Sequence, residues 1–298
     1  MANETLFHER RSSIDASVNL VRPHPDGGMQ EARFVQRDPS RFIVYVSSMT
    51  GCDRACRFCH LTQTGQVTST LLSRDEIVRQ AEAVLSLPDA RKAAAAASTV
   101  HFNFMARGEP LANQQVDAEL FAQLARLAGE LGLRARMKVS TIMPVEADER
   151  RLAALWEEGG SPVDLYYSLY SVDPAWRRRW LPKARDPGEA LVTLARWRKA
   201  TANRVILHWA LIDGENDGLE DAERVAAKAA CAGLAFDFNL VRYNPANAKS
   251  REASRERMDA YLSAMRAAVD GTGRVREIPR VGFDVAASCG MFLEPEEA

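Results

Sequence analysis

Three cysteines carry the strongest chemical signal in the chain. Cys52, Cys56 and Cys59 form C-x-x-x-C-x-x-C, with Phe58 before the last cysteine and His60 after it. A cubane iron–sulfur cluster takes four ligands, usually thiolates. A compact loop that offers three leaves one iron open to a chelating ligand from outside. The same residues admit two other readings. One is a zinc site of the three thiolates plus His60, although the adjacent Cys59 and His60 are an awkward pair for one tetrahedron. The other is a set of unrelated buried cysteines. Cys231 and Cys289 stand alone, and an odd total of five cysteines, three of them within eight residues, argues against a disulfide framework.

The elements that must hold this loop alternate along the chain. Period-2 or apolar runs predict strands over 42–48, 99–105, 136–141, 164–170, 204–212 and 236–243. Helical patterns lie between them at 77–87, 117–131, 148–158, 187–200 and 219–232, the first opened by the capping box of Ser73 and Glu76. A last helix at 253–269 and a strand near 275–278 follow. Strand starts recur at roughly the 30-residue spacing of a βα unit. The expected fold is therefore α/β, a partial (βα)6 TIM-like barrel with its site at the C-terminal strand ends, which is where the cysteine triplet falls. Residues 1–30 read as an N-terminal arm without sustained periodicity, and 31–298 as the barrel domain with a C-terminal extension. The alanine run at 93–97 reads as helix or linker.

Of 298 residues, 46% are hydrophobic and 27% charged, enough for a packed core. The net charge of −1 excludes a uniformly basic coat, so any anion site must be local. Of the 39 basic residues six are lysine, which leaves 33 arginines, the better side chain for bidentate phosphate contacts. No apolar run approaches the ~20 residues of a membrane span, and the N-terminus lacks a signal-peptide core, so the expectation is a cytoplasmic protein with no membrane association.

The text from about residue 41 onward resembles the RlmN/Cfr family of radical S-adenosylmethionine (SAM) adenine methyltransferases. The resemblance rests on Val46-Ser-Ser-Met-Thr-Gly-Cys52, on Gly108-Glu-Pro-Leu-Ala-Asn113, on Val139-Ser-Thr141, on Ser168-Leu-Tyr170 and on Leu211-Ile-Asp-Gly-Glu-Asn-Asp217. Asn239-Leu240 through Asn244-Pro245 and Ser288-Cys-Gly290 continue it, all in the family's order.

The resemblance implies a [4Fe-4S] cluster on Cys52, Cys56 and Cys59, with SAM on the open iron cleaved to a 5'-deoxyadenosyl radical. It implies SAM contacts from Gly108, Glu109, Ser140, Ser168, Tyr170 and Asn244, and Cys289 as a thiol that takes a methyl group and passes the carbon to C2 or C8 of an adenine in RNA (rRNA or tRNA). A reducing partner such as flavodoxin or ferredoxin is implied as well. Glu31 stands one residue from the family's upstream acidic group and is the expected base. The pattern departs at Tyr45, where the family has a second cysteine that resolves the methylated one by disulfide formation. A phenol cannot do this, and the spare Cys231 belongs to an outer helix. The family's N-terminal RNA-gripping domain has no counterpart in the residues before the first strand. Two alternatives stay open: the same radical acting on another nucleotide or small molecule without the methyl-cysteine cycle, and a zinc-stabilised RNA-binding protein. Arg177, Arg178, Arg179, Lys183 and Arg185, interleaved with Trp176 and Trp180, form either an RNA-contact patch or a solvated loop anchored by two indoles.

Overall fold

The computed structural model describes residues 6–294. Ten strands form one sheet in chain order. β1 (His8–Arg11), β2 (Val18–Pro23), β3 (Met29–Asp38) and β4 (Arg41–Tyr45) are antiparallel neighbours. From β4 onward the sheet is parallel through β5 (Thr99–Phe104), β6 (Arg134–Thr141), β7 (Val163–Ser168), β8 (Val205–Ala210), β9 (Asp237–Val241) and β10 (Val275–Ile278). Six βα crossovers join these seven parallel strands, the partial barrel that the spacing predicts.

The helices follow from local chemistry. α1 (His60–Gln63) opens directly after Cys59. α2 (Arg74–Ser86) begins with the reciprocal Ser73 and Glu76 capping box, and Pro88 restarts the chain as α3 (Pro88–Ala94), which takes up the first two alanines of the run. Asp117, Asp148, Asp173, Asp186 and Ser254 accept backbone N–H groups at the starts of α4 (Ala118–Glu130), α5 (Glu149–Ala153), α6 (Pro174–Trp180), α7 (Pro187–Thr201) and α9 (Arg255–Val269). α1, α3 and α8 (Glu220–Cys231) start without a side-chain cap.

Period 2 sorts the parallel strands into two faces. Phe42 and Val44, Val100 and Phe102, Met137 and Val139, Leu165 and Tyr167, Leu207 and Trp209, and Phe238 and Leu240 are buried against the helices in one continuous core. The alternating positions face inward and are mostly polar. Residues from β3 through β10 line a single cavity, so the sheet curls around it.

The structure extends the sequence reading at two places. Residues 8–23, read as part of an arm, contribute two strands to the same sheet. Val18, Leu20 and Val21 are buried on both faces, which hides the alternation. The C-terminal segment covers this end: Asn19 Nδ2 donates to the Val285 carbonyl (2.9 Å), and Ser12 and Ser13 hold Asp284. The strands also stop two or three residues short of their predicted ends at 48, 170, 212 and 243, where the chain leaves the ladder.

Candidate functional site

The cavity at the C-terminal strand ends has a volume of about 300 Å3. Cys52, Cys56, Cys59, Gly108, Glu109, Ser140, Ser168, Tyr170 and Cys289 all line it, and so does Tyr45. Residues from six separate chain segments therefore meet at one place.

The cysteine loop leaves β4 and is clamped by the returning segment 66–71. The Cys52 N–H donates to the Gln66 carbonyl (3.2 Å) and the Thr50 N–H to that of Thr70 (3.1 Å). A Cβ at Gly51 would lie 2.3 Å from the Thr68 carbonyl oxygen, so only glycine permits this approach. Burial and mutual proximity push the Cys52 thiol up to about 12 and that of Cys59, by burial first, up to about 11, with Cys56 well above the ordinary range. A crowded set of buried thiols of this kind becomes thiolate when it gains cationic metal. Among the described residues no three His, Cys, Asp or Glu groups converge as ligands of one ion. Zinc would bring its sulfurs to roughly 3.8 Å from one another at a Zn–S length of about 2.3 Å, whereas cubane ligands hold three separate irons and stand wider. His60, the fourth ligand of the zinc reading, is turned elsewhere, with Nε2 3.2 Å from the Asn244 carbonyl oxygen. The donor set fits a cluster.

Gly108 has φ +98°, and a Cβ there would lie 2.7 Å from Met49 and from Ser48 Oγ. It lets Glu109 enter the cavity wall, where one carboxylate oxygen accepts the Leu111 N–H and the other the Ile142 N–H, each at 3.0 Å. Burial raises the Glu109 pKa. Ser140 and Ser168 sit on adjacent strands with their hydroxyls 3.3 Å apart. Tyr170 is held at φ +55°, a strained conformation for a non-glycine residue. Its ring stacks on Phe58 with centroids 4.3 Å apart. Asn103 lines the same wall, and its buried Oδ1 lacks a hydrogen-bond partner, an acceptor for a group not made of protein.

Cys289 is open to the cavity at its surface, yet protein surrounds it at longer range, and that burial raises its thiol pKa. The charges of Arg33 and Arg37 and a hydrogen bond with Tyr170 oppose the rise. Its strap is pinned from three sides. Asn244 Nδ2 donates to the Cys289 carbonyl (2.8 Å), the His60 N–H donates to the Gly290 carbonyl (3.0 Å), and Arg33 Nη2 donates to the Met291 carbonyl (2.8 Å).

Two expected site residues take other positions. Asn244 is buried behind the strap and is absent from the cavity lining; its amide nitrogen holds Ser288 and Cys289, and its Oδ1 is unpartnered. Glu31 is fully buried outside the lining. It pairs with Arg33 (2.8 Å) and Arg107 (2.7 Å) and accepts the Leu293 N–H (3.1 Å). The two guanidinium groups hold its carboxyl below the ordinary range against the opposing effect of burial. Both oxygens are occupied here, and the residue ties Arg33, Arg107 and the C-terminal strap together.

The arginine and tryptophan cluster resolves toward the anchored loop. Trp176 and Trp180 are buried and stacked on one another (5.5 Å), Arg177 is buried against the Leu169 carbonyl, Arg179 pairs with Glu215, and Lys183 lies 3.3 Å from Asp53. No indole is free to stack on a base. Cys231, at the end of α8, does not line the cavity. Sequence reasoning missed Arg33, Asn103, Lys138 and Arg276. The signal for the strand residues was available in the polar alternation of His101 with Asn103 and of Lys138 with Ser140.

Among the described residues no helix is long and apolar enough to cross a membrane. A family profile for the radical SAM superfamily matches residues 46–227. A probable dual-specificity RNA methyltransferase RlmN of Parafrankia sp. (strain EAN1pec) is 35% identical over 90% of this chain and 69% of its own length. One from Parasynechococcus marenigrum (strain WH8102) is 31% identical over 95% of the chain and 76% of its own. The crystal structure of a radical SAM methyltransferase from Sphaerobacter thermophilus superposes with a TM-score of 0.75 at 27% identity, covering 96% of this chain and 81% of that one. The chain is thus a radical SAM enzyme that belongs, within that superfamily, to the RlmN-like methyltransferases, which work with a [4Fe-4S] cluster and SAM.

Proposed function

We propose that this enzyme methylates a ring carbon, C2 or C8, of an adenine in RNA, with Cys289 as the methyl carrier. The observation that carries the reading is the backbone bond from His60, next to the cluster ligand Cys59, to Gly290, next to Cys289. It supports a carrier thiol held beside the cluster loop. The relatives named above are RNA methyltransferases, which supports RNA as the substrate.

In this reading Cys52, Cys56 and Cys59 hold the cluster, which when bound supplies one electron to SAM at its open iron. Glu109, on its two backbone N–H groups, receives the SAM ammonium. Gly108 gives the close approach, and the hydroxyls of Ser140 and Ser168 meet the ribose and carboxylate. Tyr170 flanks the bound SAM and donates its hydroxyl to the Cys289 sulfur. Together with the charges of Arg33 and Arg37 it favours the thiolate that must attack a methyl group. Asn244 fixes the strap, so the one-carbon unit on Cys289 meets its target as an intramolecular partner. Tyr45 faces this cavity where the family has a thiol, so release of the product from Cys289 proceeds without an intramolecular disulfide at that position.

The test is anaerobic reconstitution with iron and sulfide, followed by an assay for 5'-deoxyadenosine and by intact-mass analysis. A one-methylene adduct present in the parent and absent in Cys289→Ala supports methyl carriage. Formation of 5'-deoxyadenosine that persists without any adduct favours the same radical acting without the methyl-cysteine cycle. A protein that remains iron-free overturns both.

A further inference from the structure

The inner face of this barrel is not filled by branched apolar side chains, the usual content of such a barrel. Two residues below the rim positions Asn103, Ser140, Ser168 and Val241 the strands present His101, Lys138, Tyr166 and Asn239, roughly 7 Å deeper at about 3.3 Å per residue. A second cavity, of about 370 Å3, opens from the strand starts and shares His101, Lys138, Tyr166, Asn239 and Arg276 with the first. The lumen is thus lined by polar groups along its length.

Its charges do not balance. Near the floor Asp164 is taken by Arg136 in a bidentate pair (2.8 Å each), and Asp237 by Arg204. Asp38 is taken by Arg41 (2.7 Å). Lys138 has a cation–π contact with Tyr166 (5.6 Å to the centroid), but no salt bridge or hydrogen bond. Arg276 on β10 lines both cavities without an ion-pair or hydrogen-bond partner. Arg37, at the register shift between Val35 and Asp38 of β3, lines the upper cavity in the same condition. A β-bulge of this kind re-aims a side chain. The charge of Lys138 reaches both neighbouring imidazoles, joined by Arg41 and Arg136 at His101 and by Arg37 at His208. His101 is pushed down to about 3 and His208 to about 4, by burial first and then by surrounding cations that include Lys138. The buried Nδ1 of His101 has no partner. In a chain of net charge −1 this is a local surplus of positive charge along the cavity, with Lys138 half-buried and Arg37 and Arg276 exposed, and an anion would complete it.

We propose that Lys138, Arg276 and Arg37 form an anion site in the barrel lumen that takes a phosphoryl group of the molecule being modified, so that a nucleoside phosphate lies with its base toward Cys289 and its phosphate toward the barrel floor. Arginine and lysine together suit phosphate, one by its planar fork and the other as a point charge. The proposal rests on the cavity being the substrate site, and it requires nothing of the methyl cycle. The phosphate could belong to a free mononucleotide or to the target nucleotide of an RNA strand.

The experiment uses the enzyme reconstituted with iron and sulfide and measures binding of adenosine, AMP, a short oligoadenylate and inorganic phosphate by calorimetry. AMP is expected to bind at least about tenfold tighter than adenosine, as one charge-assisted contact provides, with inorganic phosphate competing. Lys138→Met removes the difference, and Arg276→Gln reduces it, with iron loading as the check that each variant is folded. AMP preferred over oligoadenylate assigns the site to a free nucleotide. Oligoadenylate preferred, and dependent on Lys138, assigns it to an RNA phosphate. Equal affinity for AMP and adenosine in the parent, or a difference that survives Lys138→Met, overturns the site. In that event, 5'-deoxyadenosine and the Cys289 adduct still report separately on the proposed methyl transfer.

Discussion

Asn244 donates its side-chain amide to the backbone carbonyl of Cys289 at 2.8 Å, across 45 residues of sequence. It lies three residues past the end of β9, so the chain leaving that strand sets the position of the thiol. The same amide reaches Ser288 Oγ at 3.2 Å. Asn244→Ala removes both bonds and leaves the three cysteines untouched. Iron content should hold at the parental level, while the methyl adduct on Cys289 falls by about tenfold or more, since small misplacements in such sites are costly. Metal analysis beside intact-mass analysis checks it; equal losses of iron and adduct would sink the assignment.

Glu31 gives a pH dependence of stability. Its carboxyl is held below the ordinary value of 4.5 in the folded chain by Arg107 and Arg33. A depressed acid contributes stability that is complete above its unfolded value and is lost as pH falls through the folded one. Glu31→Gln leaves two buried guanidinium groups without a counter-charge and should cost about 3–5 kcal/mol at neutral pH. It should also flatten the loss of stability below pH 4.5. Thermal melts of both proteins across that range decide it, and parallel acid profiles would contradict the anchor.

Gly108→Ala places a Cβ 2.7 Å from Met49 Cβ and Ser48 Oγ at a φ of +98°. A destabilisation of about 1–3 kcal/mol follows from the backbone strain. The Michaelis constant for SAM should rise with it, because the loop carrying Glu109 must shift. Denaturant titration and steady-state formation of 5'-deoxyadenosine measure the two effects.

The double substitution Arg178→Gln with Arg179→Gln should leave the affinity for an adenine-containing RNA within about twofold at fixed salt, since the indoles beside these residues are buried. A larger fall, with a shallower salt slope, would restore the contact patch.

The parallel strands and the cysteine loop could be read directly from the chain, because period-2 burial, helix caps and ligand spacing are local properties. The same holds for Gly108 and Glu109, which stand in the loop after a strand. The two N-terminal strands could not be read: both faces of β2 are covered by distant residues, and that erases alternation. What the sequence by itself determined is the identity and order of the reactive groups, since a loop of three thiols or a glycine followed by a carboxylate has its chemistry wherever the chain goes. Only the tertiary structure decided which groups share a cavity. The partners of Glu31, namely Arg33, Arg107 and Leu293, exist only in the folded chain, and Lys138 could be any surface lysine until the curl of the sheet turned it inward. Electrostatic and hydrogen-bond partnerships across a hundred or more residues depend on distances in space, and those do not exist until the sheet has closed around them.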